Sequence, residues 1–124
     1  MPAAYKIDKE RRLVLTTVWG KLTFTDGVAH RNELRSDPDF DPTYREISDF
    51  TQVTELAFSA EELRGHAQFD VFSPSSRRAF VAPDDAKFGL GRMFAMLRES
   101  RGDTGIRVFR TLEEAEYWVL GASE

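Results

Sequence analysis

The residues able to do chemistry are few. His30 and His66 are the only histidines, and the chain contains no cysteine. Neither histidine has the closely spaced carboxylates or second imidazole that metal ligation or base catalysis requires. We therefore expect no metal, no cofactor, and neither thiol nor histidine catalysis. His66 borders the apolar stripe of a helix, where a partly buried, hydrogen-bonded imidazole is expected. No serine stands in a G-x-S-x-G turn, and Gly20 to Gly27 carries no phosphate-loop pattern. Asp37, Asp39 and Asp41 alternate like the start of a calcium loop, but Pro42 stands where that loop needs glycine and Ser48 where it needs glutamate. A solvated turn is the better reading. The remaining acidic residues fall mainly at helix starts and on exposed faces, so an enzyme is not expected.

What is left points to binding. The stretch Arg77 to Phe94, RRAFVAPDDAKFGLGRMF, reads as an apolar strand, a proline-acidic break and a helix. That unit lies at the end of an α/β sheet where ligands usually bind. Gly89 and Gly91 are weak evidence for phosphate binding, because Asp84 and Asp85 would repel an anion at the helix start. Close helix packing accounts for them. Phe88 lies about 200° around the helix from Ala86, off the core stripe. It either packs under a neighbouring loop or lines a pocket. Arg92 follows on the same side, as a surface charge, an ion pair with Asp84, Asp85 or Glu99, or an anchor for an acidic ligand or partner. Thr51 and Thr54 follow the third strand at the same end. Phosphate added there would bring roughly two negative charges. Phe88, Arg92 and Thr51 are the candidate ligand- or partner-binding residues.

The elements that must position them can be read in order. With 124 residues, 41% hydrophobic and 31% charged, the chain suits one globular domain, residues 1–124. No apolar run approaches the roughly 20 residues of a membrane span, and the first residues lack a signal-peptide pattern, so a cytoplasmic protein is expected. A formal net charge of -4 argues against nucleic acid as a partner. Tyr5 and Ile7 mark an edge strand, and Leu13 to Trp19 a second, internal strand that ends at Gly20. Thr25 is the expected cap of a first helix over Asp26 to Arg35, stopped by Asp37-Pro38. A third strand over Tyr44 to Phe50 leads through a loop, 51–57, to a helix from Ala60 to about Val71. Its start is set by Phe58, Ser59, Glu62 and Leu63, a staple around a capping box. Ala86, Leu90, Met93, Phe94 and Leu97 form the buried stripe of the third helix. The fifth strand is Ile106 to Phe109. Thr111 and Glu114 open the last helix, which buries Leu112, Ala115 and Val119 and ends at Gly121. The order β-β-α-β-α-β-α-β-α implies an α/β fold with a mixed five-stranded sheet opened by an antiparallel hairpin.

Taken together, several short motifs resemble one family. They are Trp19-Gly20 closing the hairpin, Ser36-Asp37-Pro38-Asp39-Phe40, Ser48-Asp49-Phe50, Arg77-Arg78-Ala79-Phe80-Val81-Ala82, Phe88-Gly89-Leu90-Gly91-Arg92-Met93, and Val108-Phe109-Arg110 followed by Glu113-Glu114-Ala115 and Trp118. As a set they resemble the SpoIIAA-like family of small bacterial proteins, related in fold to STAS domains and grouped with Sec14/CRAL-TRIO-like lipid-binding domains. The resemblance implies a non-enzymatic regulatory or ligand-binding module. Its first form is a protein-interaction module of STAS type working around 51–57 and the third helix start, with a homodimer among the partners left open. Its second is a carrier or sensor of a small apolar or lipid-like ligand, favoured by ten Phe. One departure matters. Asp49-Phe50-Thr51-Gln52 stands where the antagonists carry a phosphorylatable serine in an Asp-Ser-Ser-Gly-like motif, so that switch does not transfer.

Overall fold

Residues 2–121 are described by a computed structural model. Strands β1 (Ala3–Asp8), β2 (Leu13–Thr23), β3 (Arg45–Ala57), β4 (Arg78–Val81) and β5 (Ile106–Phe109) form one sheet in the order β1-β2-β3-β4-β5. β1 and β2 are antiparallel and every later pair is parallel. Helices α1 (Phe24–Arg35), α2 (Ala60–His66) and α3 (Asp85–Glu99) fill the connections, and α4 (Leu112–Glu116) continues as a π-helical turn, Tyr117–Gly121. The sheet is thus mixed and opens with a hairpin, as the residue pattern predicts.

Alternation along the strands sorts side chains into two cores. Leu13, Ile47, Ala79 and Val81 point to one face and pack on Ala115 and Val119 of α4 and its π turn. On the other face, Val14 clusters with Leu34 of α1, Phe80 with Leu63 of α2 and Phe94 of α3, and Val18 with Leu22 and Val53 of the sheet. The second layer is thicker and contains charged groups.

Several boundaries differ from the expected ones. β2 does not end at Gly20. This glycine takes φ +67°, a conformation open to it without a Cβ, and the strand runs on to Thr23 beside β3. The helix cap therefore moves from Thr25 to Thr23, whose Oγ1 accepts the Asp26 amide at 3.2 Å while the Asp26 carboxylate accepts the Thr23 amide at 3.1 Å. β3 continues through 51–57 because the extended β2 supplies a parallel partner. The pairing shifts between Thr17 and Trp19 and again between Gly20 and Lys21, which places an extra β3 residue in each gap.

α2 begins as expected, with Ser59 and Glu62 bonded reciprocally at 3.0 Å, but ends at His66 rather than Val71. Tertiary donors stop it. Arg31 donates to the His66 carbonyl at 2.9 Å and Arg98 to the Ala67 carbonyl at 3.1 Å, occupying acceptors that another helical turn would use. On α3, Phe94 is buried and Leu90 and Leu97 half-buried, whereas Ala86 and Met93 are exposed. Leu112, expected inside, is 41% exposed, since α4 presents Ala115 and Val119 to the sheet instead.

Gly27 sits inside α1, and a Cβ there would meet the His66 ring at 3.4 Å, ordinary van der Waals contact. Gly27→Ala is expected to raise unfolding free energy by about 0.5–1 kcal/mol through helix propensity. Urea denaturation measures it. A decrease instead would mean that the His66 ring cannot accommodate the methyl group.

Candidate functional site

Between the sheet and α1, α2 and α3 lies a cavity of about 160 Å³. Parallel crossovers place it here: β2, β3 and β4 supply the floor, and the helices between them the roof. Bulges in β3 decide which of its side chains reach the floor. Glu46, Ser48 and Phe50 do so by simple alternation, and Leu56 rejoins the wall after both register shifts.

One end is apolar and aromatic. Phe80 lies 5.8 Å from both Phe50 and Phe94 by ring centroids, and the His66 ring stacks on Phe58 at 6.1 Å and 21°. Val18, Leu22 and Leu56 complete this wall. The other end is polar. Glu46 is 6% exposed and its Oε2 accepts a hydrogen bond from Thr16 at 2.9 Å. Burial, reinforced by the charge of Asp70, raises its pKa to about 7. Arg31 is also buried, with its guanidinium 4.5 Å from the centre of the Phe69 ring. His30 and His66 line the same space, and the Nδ1 atom of each is buried without a hydrogen-bond partner. Burial lowers both imidazole pKa values, that of His66 to about 4, so both rings are neutral at pH 7.

Behind the polar end sits an ion cluster. Arg78 chelates Asp103 through both terminal nitrogens and donates to Asp70 at 2.8 Å, and Arg98 donates to Asp103 at 3.0 Å. The Gly105 amide also donates to Asp103 at 3.1 Å. A Cβ at Gly105 would overlap the Ser76 carbonyl, so only glycine allows the chain this close to Arg78.

The sequence-derived residues lie elsewhere. Phe88 and Arg92 share a groove between α3 and β5 with Met96, Glu99 and Arg107. The Phe88 ring packs under the Arg110 guanidinium at 4.1 Å, and Arg110 bonds the Pro83 carbonyl and the Asp85 carboxylate at 3.1 and 2.6 Å. Thr51 is exposed, lies in the first irregular stretch of β3 with its amide bonded to Asp49 at 2.9 Å, and does not line that groove. The structure thus groups Phe88 with Arg92 and leaves Thr51 apart. The cavity lies against Leu90, Gly91 and Phe94 of α3 and includes neither Phe88 nor Arg92. His66, expected to be hydrogen-bonded, has an unpartnered Nδ1. Sequence reasoning also missed Arg31, Glu46 and Asp70, although a glutamate alternating inward with Ser48 and Phe50 in an internal strand was a usable signal.

Asp37 accepts the Tyr5 hydroxyl at 2.8 Å and Asp41 the Thr43 hydroxyl at 2.7 Å, so two of the three alternating aspartates tie down turns. Among the described residues no three His, Asp or Glu side chains gather as a metal site, and no helix is long and apolar enough to cross a membrane.

This hairpin followed by three parallel crossovers has counterparts of similar fold among solved structures. An uncharacterized protein from the DUF3478 family with a SpoIIAA-like fold, from Shewanella loihica PV-4, superimposes with a TM-score of 0.60 at 17% identity, covering 94% of this chain and 93% of its own. The chain has a SpoIIAA-like fold. The anti-sigma factor antagonist SpoIIAA in its unphosphorylated form matches with a TM-score of 0.53 at 12% identity, over 96% of this chain and 99% of its own. No protein-family model matches the sequence, and no curated protein does. In the SpoIIAA-like framework of this chain, the cavity occupies the layer between the sheet and α1–α3, and the Phe88–Arg92 groove lies along the outer flank of α3.

Proposed function

We propose that this protein is a non-enzymatic binding module that takes a small, largely apolar ligand into the cavity beneath α1–α3. The cavity itself is the observation that carries the reading. Protein interiors are close-packed, and a void of this size lined by aromatic rings loses dispersion contacts that a guest would restore. An engineered apolar cavity of about 150 Å³ accepts benzene, so about 160 Å³ suits a six-membered ring or a short branched chain. A full-length fatty acid is too large for this space.

A second reading is supported by the fold. One structural neighbour is an anti-sigma factor antagonist, a role exercised on another protein. A regulatory interaction of STAS type at the Phe88, Arg92 groove or around Thr51 is compatible with a ligand held inside. Binding within the layer would then stabilise the surface that a partner reads.

The pocket is tested by thermal unfolding with benzene, toluene and benzyl alcohol. A guest present at 100 times its Kd should add about 2.7 kcal/mol to the folded state. Leu56→Trp, placed in the half-buried cavity wall, is expected to keep the fold and lose that stabilisation. No shift with any of the three compounds in the unsubstituted protein overturns the pocket. Retention of partners from native lysate by the full chain, and their loss on Arg92→Glu, tests the second reading.

A further inference from the structure

The polar end of the cavity carries an unbalanced charge. Arg31 is 7% exposed, donates to one protein acceptor, the His66 carbonyl, and has no carboxylate within 4.0 Å among the described residues. Buried cations are ordinarily paired. The nearby carboxylates are committed elsewhere: Asp70 to Arg78, Asp103 to Arg78 and Arg98, and Glu46 to the Thr16 hydroxyl. Two neutral imidazoles in the same wall, His30 and His66, each keep a buried Nδ1 with no partner. A cation with spare donors and two unsatisfied ring nitrogens, facing an aromatic wall, describe the complement of one ligand chemistry.

We propose that the cavity binds a compact organic acid, a short aryl or branched-chain carboxylate, with its carboxylate against the Arg31 guanidinium and its apolar body among Phe50, Phe58 and Phe80. The inference rests on the reading of the cavity as a ligand pocket and adds the charge and size of the guest. Guanidinium suits this task because its planar fork matches the two carboxylate oxygens. An imidazole nitrogen, able to donate or accept according to tautomer, meets whichever oxygen remains.

Electrostatics set a second signature. With Glu46 neutral, the cluster of Arg31, Arg78 and Arg98 exceeds Asp70 and Asp103 by one positive charge, which a bound carboxylate neutralises. Once Glu46 ionises the cluster is already balanced. Glu46 faces Thr16 of β2, Ser48 of its own strand, Arg78 of β4, Arg31 of α1 and the Asp70 loop, while burial lowers the pKa of both His30 and His66, that of His66 to about 4. Affinity for the acid therefore falls as pH rises through Glu46 ionisation, while affinity for a neutral analogue does not.

Titration calorimetry of the full chain with benzoate, 3-methylbutanoate, benzyl alcohol and palmitate decides the matter. At pH 6, benzoate is expected to bind at least tenfold more tightly than benzyl alcohol, and this ratio to shrink at pH 8.5. Arg31→Met should abolish the preference, weakening benzoate at least tenfold more than benzyl alcohol. Arg31→Lys, which retains charge without the fork, should keep part of the preference. Equal binding of benzoate and benzyl alcohol to the unsubstituted protein overturns the acid while leaving the pocket standing. Binding of neither removes both. A strongly destabilised Arg31→Met or Arg31→Lys protein with its preference intact would assign Arg31 to the scaffold and overturn the proposal, as would tighter binding of palmitate than of benzoate.

Discussion

Asp103→Asn is expected to cost about 3–5 kcal/mol of unfolding free energy, the largest effect of any single substitution considered for this chain. The change is nearly isosteric, so packing is preserved and the loss is electrostatic. Asp103 is 1% exposed and accepts from Arg78, Arg98 and the Gly105 amide. Taking charges out of water is costly, and here one carboxylate compensates two guanidiniums. Hydrogen bonding from Arg78 holds the Asp103 pKa below the usual carboxylate range although burial pushes it upward. Removing the negative charge leaves Arg98 without an anionic partner and Arg78 with Asp70 alone. Urea denaturation at pH 7 measures the effect. Asp39→Asn, which breaks the exposed Lys9–Asp39 pair at 3.4 Å, is the control and should change stability by less than about 1 kcal/mol. Equal effects at the two sites would show that the cluster is not desolvated.

Glu46→Gln is expected to make the protein more stable at pH 8. Burial raises the Glu46 pKa from its ordinary 4.5 to about 7, so between those values the native state binds the proton more tightly than the unfolded chain. Its contribution is complete below pH 4.5 and is lost as pH rises through 7. The full loss is about 3 kcal/mol as a ceiling, with roughly 1 kcal/mol of it falling above pH 6.5. His66 has the opposite sign. Its pKa is lowered from 6.5 to about 4 by burial, so its contribution is present above 6.5 and lost as pH falls toward 4. The two slopes oppose one another between pH 4.5 and 6.5, and above that Glu46 acts alone. Stability measured from pH 6.5 to 8.5 should therefore decline in the unsubstituted protein and stay flatter in Glu46→Gln. The two proteins should converge to within about 1 kcal/mol near pH 5. A parallel decline in both would place the titration on another group.

What could be read from sequence was local. Ser59 with Glu62, and Thr111 with Glu114, fix helix starts through bonds spanning three residues, and both starts fall where the motifs put them. The succession of strands and helices along the chain and the opening hairpin followed from alternating segments, whereas the order of strands in the sheet did not. The second half of β3 was not legible, because residues 51–57 are held by pairing with β2 rather than by their own pattern. α2 was overextended for the same reason, since Arg31 and Arg98 act on its end from 35 and 31 residues away. The cavity was hidden more deeply still. Its polar groups come from β2, β3, α1, α2 and the Asp70 loop, and no short window of sequence contains two of the groups that matter most, Arg31 and Glu46. Phe88 and Arg92 were correctly placed off the buried stripe by helical phase, and that phase also put the cavity on the opposite flank.

The sheet order has a consequence for how the molecule is made. Strands that are consecutive in the chain are neighbours in space, so each new strand leaving the ribosome can dock on the edge its predecessor has just created. Loop-closure entropy is met one connection at a time rather than in a single long-range step. The exception is Asp103, synthesised last among the charged cluster. Until it arrives, Arg98 lacks its anionic partner and Arg78 has Asp70 alone, so the charged cluster is completed only once the segment leading into β5 has been made.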